Sequence, residues 1–193
     1  MPAHEDDRVA ALTEHDGHGS GTLHRQPPYF VQSAPLIGRA AELAEVTGLL
    51  ADPAVRMVTI TGRSGLGKTR LALEAARTLD ARHQGTAFFV SLASVSDPDL
   101  VVAAIAAQLE VSAGPGAPLT DVVVRWLHRA ARVMMLDNFE HLLGAAGQLS
   151  GVLDACPDLK LLVTALASLA GRSWSVSTSL TALFSNCCTA APY

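Results

Sequence analysis

The sequence predicts an α/β domain, a parallel sheet flanked by helices, and three observations carry that reading. Four short apolar runs (57–61, 87–92, 133–136 and 159–164) alternate with longer stretches whose apolar residues recur at helical spacing. The first run leads through a glycine-rich loop into a helix. The third run ends in an acid, Asp137, about 70 residues beyond that loop.

In chain order, residues 1–33 are polar, rich in Gly, His and Asp, and hold Pro27-Pro28, which predicts a flexible leader. Its histidines (His4, His15, His18, His24) have irregular spacing and no scaffold, so they read as solvated and not as metal ligands. Residues 34–164 form the predicted domain. Leu43, Val46 and Leu50 give a helix over 40–50 its core face, and Asp52-Pro53 ends it. Met57-Val58-Thr59-Ile60-Thr61 is short and β-branched, as a buried strand requires. Leu71, Ala75 and Leu79 mark the buried side of the helix after the loop, and 87–92 (AFFVSL) is a second buried strand. Ser96-Asp97-Pro98 starts a helix carrying Val101, Ile105 and Leu109 on one face. Leu119, Val122, Val123, Trp126 and Leu127 form the stripe of another, over 120–130. Val133 to Leu136 is a third strand, residues 140–154 a helix, and 159–164 (LKLLVT) a fourth strand. The last 29 residues, 165–193, hold one charged residue, Arg172, and offer no assignable element; they read as an atypical tail, disordered or frame-shifted.

The loop carries the chemistry. Gly62-Arg63-Ser64-Gly65-Leu66-Gly67-Lys68-Thr69 fits G-x-x-x-x-G-K-[ST] at every fixed position, a P-loop. Glycines let the backbone curl round an anion and turn its N–H groups inward, and the helix that follows adds its positive N-terminal end. Lys68 can reach the β- and γ-phosphates and the Thr69 hydroxyl can ligate Mg²⁺. The candidate nucleotide-binding set therefore runs from Gly62 through Arg70. The plainer alternative is a glycine-rich turn with no ligand. Asp137, at the C-terminal end of its strand, can hold Mg²⁺ through water; it can also be a helix N-cap. Glu140 can orient water or complete a capping box.

Composition excludes several classes. A formal net charge of −4 and 5% aromatics speak against a nucleic-acid coat or a stacking platform for single strands. Three cysteines, two adjacent, are no disulfide framework, and a reducing cytoplasm is the simplest context. The longest apolar run, 161–170, is too short to cross a bilayer, and the acidic N-terminus is no secretory signal.

Five blocks in order, PLIGRAAEL, VTITGRSGLGKTRLALEAA, FFVSLASVSDPDLV, VMMLDNFEHLL and ACPDLKLLVT, resemble the STAND-class NTPases. More narrowly they are similar to the NB-ARC-like ATPase module of LuxR-type and SARP-type bacterial transcriptional regulators. The resemblance spans about Pro35 to Thr164. It implies an ASCE-type P-loop fold with the 159–164 strand between the P-loop strand and the Asp137 strand, ATP as ligand, and a nucleotide-dependent switch. It implies that Gly38 and Arg39 lie beside the adenine, that Gly62 to Thr69 are Walker A, and that Asp137 is Walker B. The departures are specific. Ala165-Leu166 follow Thr164 where such modules carry a phosphate-sensing Arg, Ala40 replaces an acid, and Asn138 stands where fast hydrolases have Glu. The last strand of the sheet, a winged helix and a helix-turn-helix are missing from the pattern, which reads as a truncated or frame-shifted end and leaves the P-loop strand at an exposed edge open to self-association.

The expectation is a cytoplasmic Mg-ATP-binding switch module with slow hydrolysis. Lys68, Asp137 and Glu140 are its catalytic candidates, Thr69 and Asp137 its metal ligands, and ATP or ADP its partner, with no membrane and no direct nucleic-acid contact from this chain alone. The alternative is a regulatory fragment that holds nucleotide without turnover.

Overall fold

The structure, a computed structural model, describes residues 36–83, 87–130, 133–166 and 174–178. The expected leader and most of the expected tail lie outside these residues. Helix α1 spans Ala40–Ala51, strand β1 Met57–Gly62, helix α2 Lys68–His83 and strand β2 Ala87–Ser91. Helices α3 (Val101–Gln108) and α4 (Leu119–Ala130) follow, then β3 (Val133–Asp137), α5 (Ala146–Ala155), β4 (Lys160–Leu166) and β5 (Trp174–Ser177).

The sheet order is β2-β3-β4-β1-β5. The first four strands are mutually parallel, with Met57 opposite Leu161, Val133 opposite Lys160 and Ala87 opposite Val133. The 159–164 strand thus sits between the P-loop strand and the Asp137 strand, as expected. Both faces are covered, which is why these strands are apolar almost throughout and not alternating. Met57, Met134, Leu136, Leu161 and Val163 point to the α3–α4–α5 side, and Val58, Ile60, Met135 and Leu162 to the α1–α2 side. Phe88 of β2 meets Trp126 of α4 edge to face, ring centroids 4.7 Å apart.

Two expectations are corrected. Residues 140–154 are not one helix. Short 3₁₀ turns at Phe139–His141 and Leu143–Ala145 precede α5. Phe139, Leu142 and Ala145 are all fully buried, and burial of every third residue suits three residues per turn. Gly144 also lies close under Pro98, where a Cβ would stand 3.2 Å from Pro98 Cγ. The second correction is the sheet edge. The sequence offered no element near 174, yet β5 runs antiparallel to β1, with Ile60 opposite Val176. The P-loop strand is therefore interior, and the expected self-association loses the edge it was argued from.

At the end of the sheet opposite Gly62, two cations close two helices. Arg56 Nε donates to the Leu159 carbonyl (2.9 Å), and its Nη2 donates to those of Leu153 (2.7 Å) and Cys156 (2.6 Å) at the end of α5. Lys160 Nζ donates to the Asp52 and Val55 carbonyls just beyond α1. Carbonyls left over at helix C-termini are met by positive groups, as the helix dipole favours.

Thr59, in the middle of β1, is fully buried, and its hydroxyl has no hydrogen-bond partner among the described residues. Thr59→Val keeps the shape and removes the stranded hydroxyl. It should stabilise the protein by about 1 kcal/mol, read as a rise of roughly 2–4 °C in Tm. A fall in Tm would mean that the hydroxyl is bonded after all.

Candidate functional site

The site is built where β1, β3 and β4 end. β1 delivers the chain to Gly62, five residues turn, and α2 starts at Lys68. Gly65 (φ +79°) and Gly67 (φ +75°) hold left-handed backbone, and a Cβ at either would meet nothing within 4 Å, so glycine is needed here for conformation and not for space. The first turn of α2 contains no acid, so no side chain of the helix itself offsets its positive end.

Lys68 Nζ donates to the carbonyls of Gly62 and Arg63, each at 2.9 Å. Partial burial lowers its pKa below the usual lysine value, and the carboxylates of Glu140 and Asp137 oppose that shift.

Leu136 of β3 lies opposite Val163 of β4, so Asp137 and Thr164 come next in line and meet. Asp137 is 8% exposed. Its Oδ1 accepts the Thr69 hydroxyl at 2.7 Å and also the Thr164 hydroxyl. Thr164 in turn accepts the Asn138 N–H at 3.2 Å. Asp137 therefore bonds two other elements and does not cap the turn that follows; that position falls to Asn138, in left-handed conformation (φ +64°), with no side-chain cap bond. Glu140 makes no capping box either. Its Oε2 accepts the backbone N–H of Leu166 at 3.0 Å, which ties the turn after β3 to the end of β4.

These groups surround a cavity of about 310 Å³. Ser64, Gly65, Gly67, Lys68 and Thr69 form one wall, and Asn138, Glu140, Thr164 and Leu166 the other. Of the predicted set, Gly62, Arg63, Leu66, Arg70 and Asp137 do not line it; Asp137 is reached through Thr69 and Thr164, which do line it and both donate to its carboxylate. Gly62 is buried at the strand end, and Arg63 and Arg70 are exposed. Gly38 and Arg39 do not line it either, but Arg39 Nη2 donates to the Leu66 carbonyl at 3.2 Å. Sequence reasoning missed Asn138, Thr164 and Leu166 as site residues. The signal for Thr164 was available: a polar residue closes an apolar strand that must lie beside the Asp137 strand. Leu166 carried no such signal.

Hard oxygen donors from Thr69 and Asp137, a lysine, and glycine amides at a helix N-terminus are a donor set that suits a polyphosphate with a divalent cation. Among the described residues no helix is long and apolar enough to cross a membrane.

The profile of the AAA domain family matches residues 54–175, more than half of the 193 residues. An uncharacterized protein of Mycobacterium tuberculosis, Rv0894, is 36% identical over 144 residues, covering 72% of this chain and 36% of that protein. Another Mycobacterium tuberculosis protein, bearing the provisional name HTH-type transcriptional regulator Rv0890c, is 38% identical over 110 residues, 56% of this chain and 12% of its own length. The chain thus spans about a third or less of these relatives. Among solved structures, the Aeropyrum pernix ORC2 protein, described as ADPNP–ADP complexes, superposes with a TM-score of 0.55 at 18% identity, over 71% of this chain and 44% of that one.

Proposed function

The chain belongs to the AAA domain family of P-loop NTPases, and from that premise we propose that it binds Mg-ATP and hydrolyses it slowly, as a nucleotide switch. The observation that carries the proposal is the Thr69 hydroxyl lying 2.7 Å from the Asp137 carboxylate at the N-terminus of α2, with Thr69 and Lys68 both lining the cavity. Thr69 and Asp137 would hold Mg²⁺, and the amides of Gly65 and Gly67 and the Lys68 ammonium would hold phosphates. The bound metal would supply charge neutralisation at the β- and γ-phosphates. Phosphoryl transfer asks the protein mainly to position groups and to offset charge. Thr164 orients Asp137 through its hydroxyl, and Glu140 faces the cavity as the group to orient water.

A non-hydrolysing nucleotide binder is the second reading, and one contact favours it. Glu140 already accepts the Leu166 N–H, and Leu166 stands where a cation would help. Among the described residues lining the cavity, Lys68 is the one cation, facing two acids. Either way turnover should be low, below about 1 s⁻¹ and so beneath typical enzymes. ATP titrated calorimetrically with and without Mg²⁺ tests binding, and phosphate release above a Lys68→Ala control separates the two readings. No heat of binding under either condition would overturn both.

The blocks similar to STAND and NB-ARC modules, and the regulator-named relative, support a switch role inside a bacterial transcriptional regulator working in the cytoplasm. ATP and ADP are its partners on this reading, and DNA contact is not assigned to this domain.

A further inference from the structure

Arg39 and Leu66 are 27 positions apart, yet the Arg39 guanidinium reaches the Leu66 carbonyl at 3.2 Å. Its other arm meets Glu42 Oε1 at 3.5 Å, one turn into α1. Arg39 stands at the N-cap position of α1, directly after Gly38, whose φ of +73° turns the chain into that helix. Both partners are largely covered, with Arg39 28% and Glu42 18% exposed at the side chain. The guanidinium is thus anchored at one end and aimed at the phosphate loop with the other. Resemblance implies a place beside a base for Arg39; here it does not line the phosphate-loop cavity, and its guanidinium rests against a backbone oxygen of that loop.

What that oxygen does follows from peptide geometry. A trans peptide unit is planar, and its C=O and N–H point in opposite directions. The Leu66 carbonyl and the Gly67 N–H belong to one unit. That unit turns over through the ψ of Leu66 and the φ of Gly67, and Gly67, here at φ +75°, adopts positive and negative φ with nearly equal ease. Such a unit can turn over at little cost, sending its N–H outward and its carbonyl oxygen towards an anion. A charged donor on the Leu66 carbonyl selects one orientation. Resting on the nucleotide-binding reading, we infer that Arg39 is a positioning residue of the phosphate loop: by holding the Leu66 carbonyl outside, it aims the Gly67 N–H at the phosphates. Its ligand class is the polyphosphate and not the base, so its effect is blind to the nucleobase.

The test uses the full chain and three probes, ATP, GTP and inorganic tripolyphosphate, each with Mg²⁺, titrated calorimetrically into the wild type, Arg39→Ala, Arg39→Lys and Glu42→Gln. Arg39→Ala should lower affinity for ATP and for tripolyphosphate by the same factor, about tenfold. Arg39→Lys should recover part of that loss, because one charged donor remains, and Glu42→Gln should lose less than Arg39→Ala. Thermal unfolding without ligand fixes a temperature at which all four proteins are folded, so a purely structural role would leave affinities there unchanged. The inference is overturned if Arg39→Ala weakens ATP but leaves tripolyphosphate untouched, which is a base contact, or if it leaves both untouched. A wild type that binds none of the three probes overturns the nucleotide reading itself, and this is seen before any variant is made.

Discussion

Lys68→Ala should abolish measurable ATP binding. The ammonium is the one cation among the described residues lining the cavity, and it lies beside the amides that would take the same phosphates. Hydrogen bonds from a charged donor contribute about 1.5–3 kcal/mol each, so losing contacts to two phosphates weakens binding by roughly a hundredfold or more. The fold should survive, because the Lys68 hydrogen bonds among the described residues go to the Gly62 and Arg63 carbonyls of the loop itself. Calorimetric titration, with circular dichroism to verify folding, checks both statements. A folded Lys68→Ala protein that binds ATP as the wild type does would remove this lysine from the site. Alkaline pH should act in the same direction. Burial already lowers the Lys68 pKa, so the free protein gives up this proton earlier than an ordinary lysine, and phosphates would then have to draw it back.

Asp137→Asn should leave metal-free ATP binding largely intact and erase the gain from Mg²⁺. The wild type is expected to bind ATP about tenfold or more tightly with Mg²⁺ than with EDTA, a difference of about 1.4 kcal/mol. In the variant that ratio should fall to about one. Asparagine keeps an oxygen that can accept the Thr69 and Thr164 hydroxyls, so Tm should move little. Asp137→Ala strands both hydroxyls in a site where Thr164 is 1% exposed and should cost about 1–3 kcal/mol of stability. Titrations with Mg²⁺ and with EDTA, followed by melting curves, separate the charge from the hydrogen bonds. An unchanged Mg²⁺ effect in Asp137→Asn would move the metal elsewhere.

Much of this site was legible from local pattern. The run 57–62 has to be a buried strand because it is apolar and β-branched, and the spacing of Gly62, Gly67, Lys68 and Thr69 states what the turn after it is for. Leu71, Ala75 and Leu79 recur at helical spacing and are buried. Asp97 before Pro98 reads as a cap, and its carboxylate does accept the Asp99 N–H. The turn over 139–145 was harder. Its apolar residues Phe139 and Leu142 also suit an α-helix, and the tight approach to Pro98 that favours three residues per turn comes from 46 positions away.

Sequence alone determined the α/β architecture, the phosphate loop and the strand that brings Asp137 to it, because periodicity, glycine conformations and a fixed motif act within a few residues of each other. Only the tertiary structure decided the rest: that Thr164 shares Asp137 with Thr69, that Glu140 is held by the Leu166 amide, that β5 covers the edge of β1, and that Arg39 reaches across to Leu66. Each of these joins groups at least 26 residues apart. Such contacts are set by strand register and by the packing of helices on the sheet, and a hydroxyl, an amide or a guanidinium looks the same along the chain whichever partner it will meet.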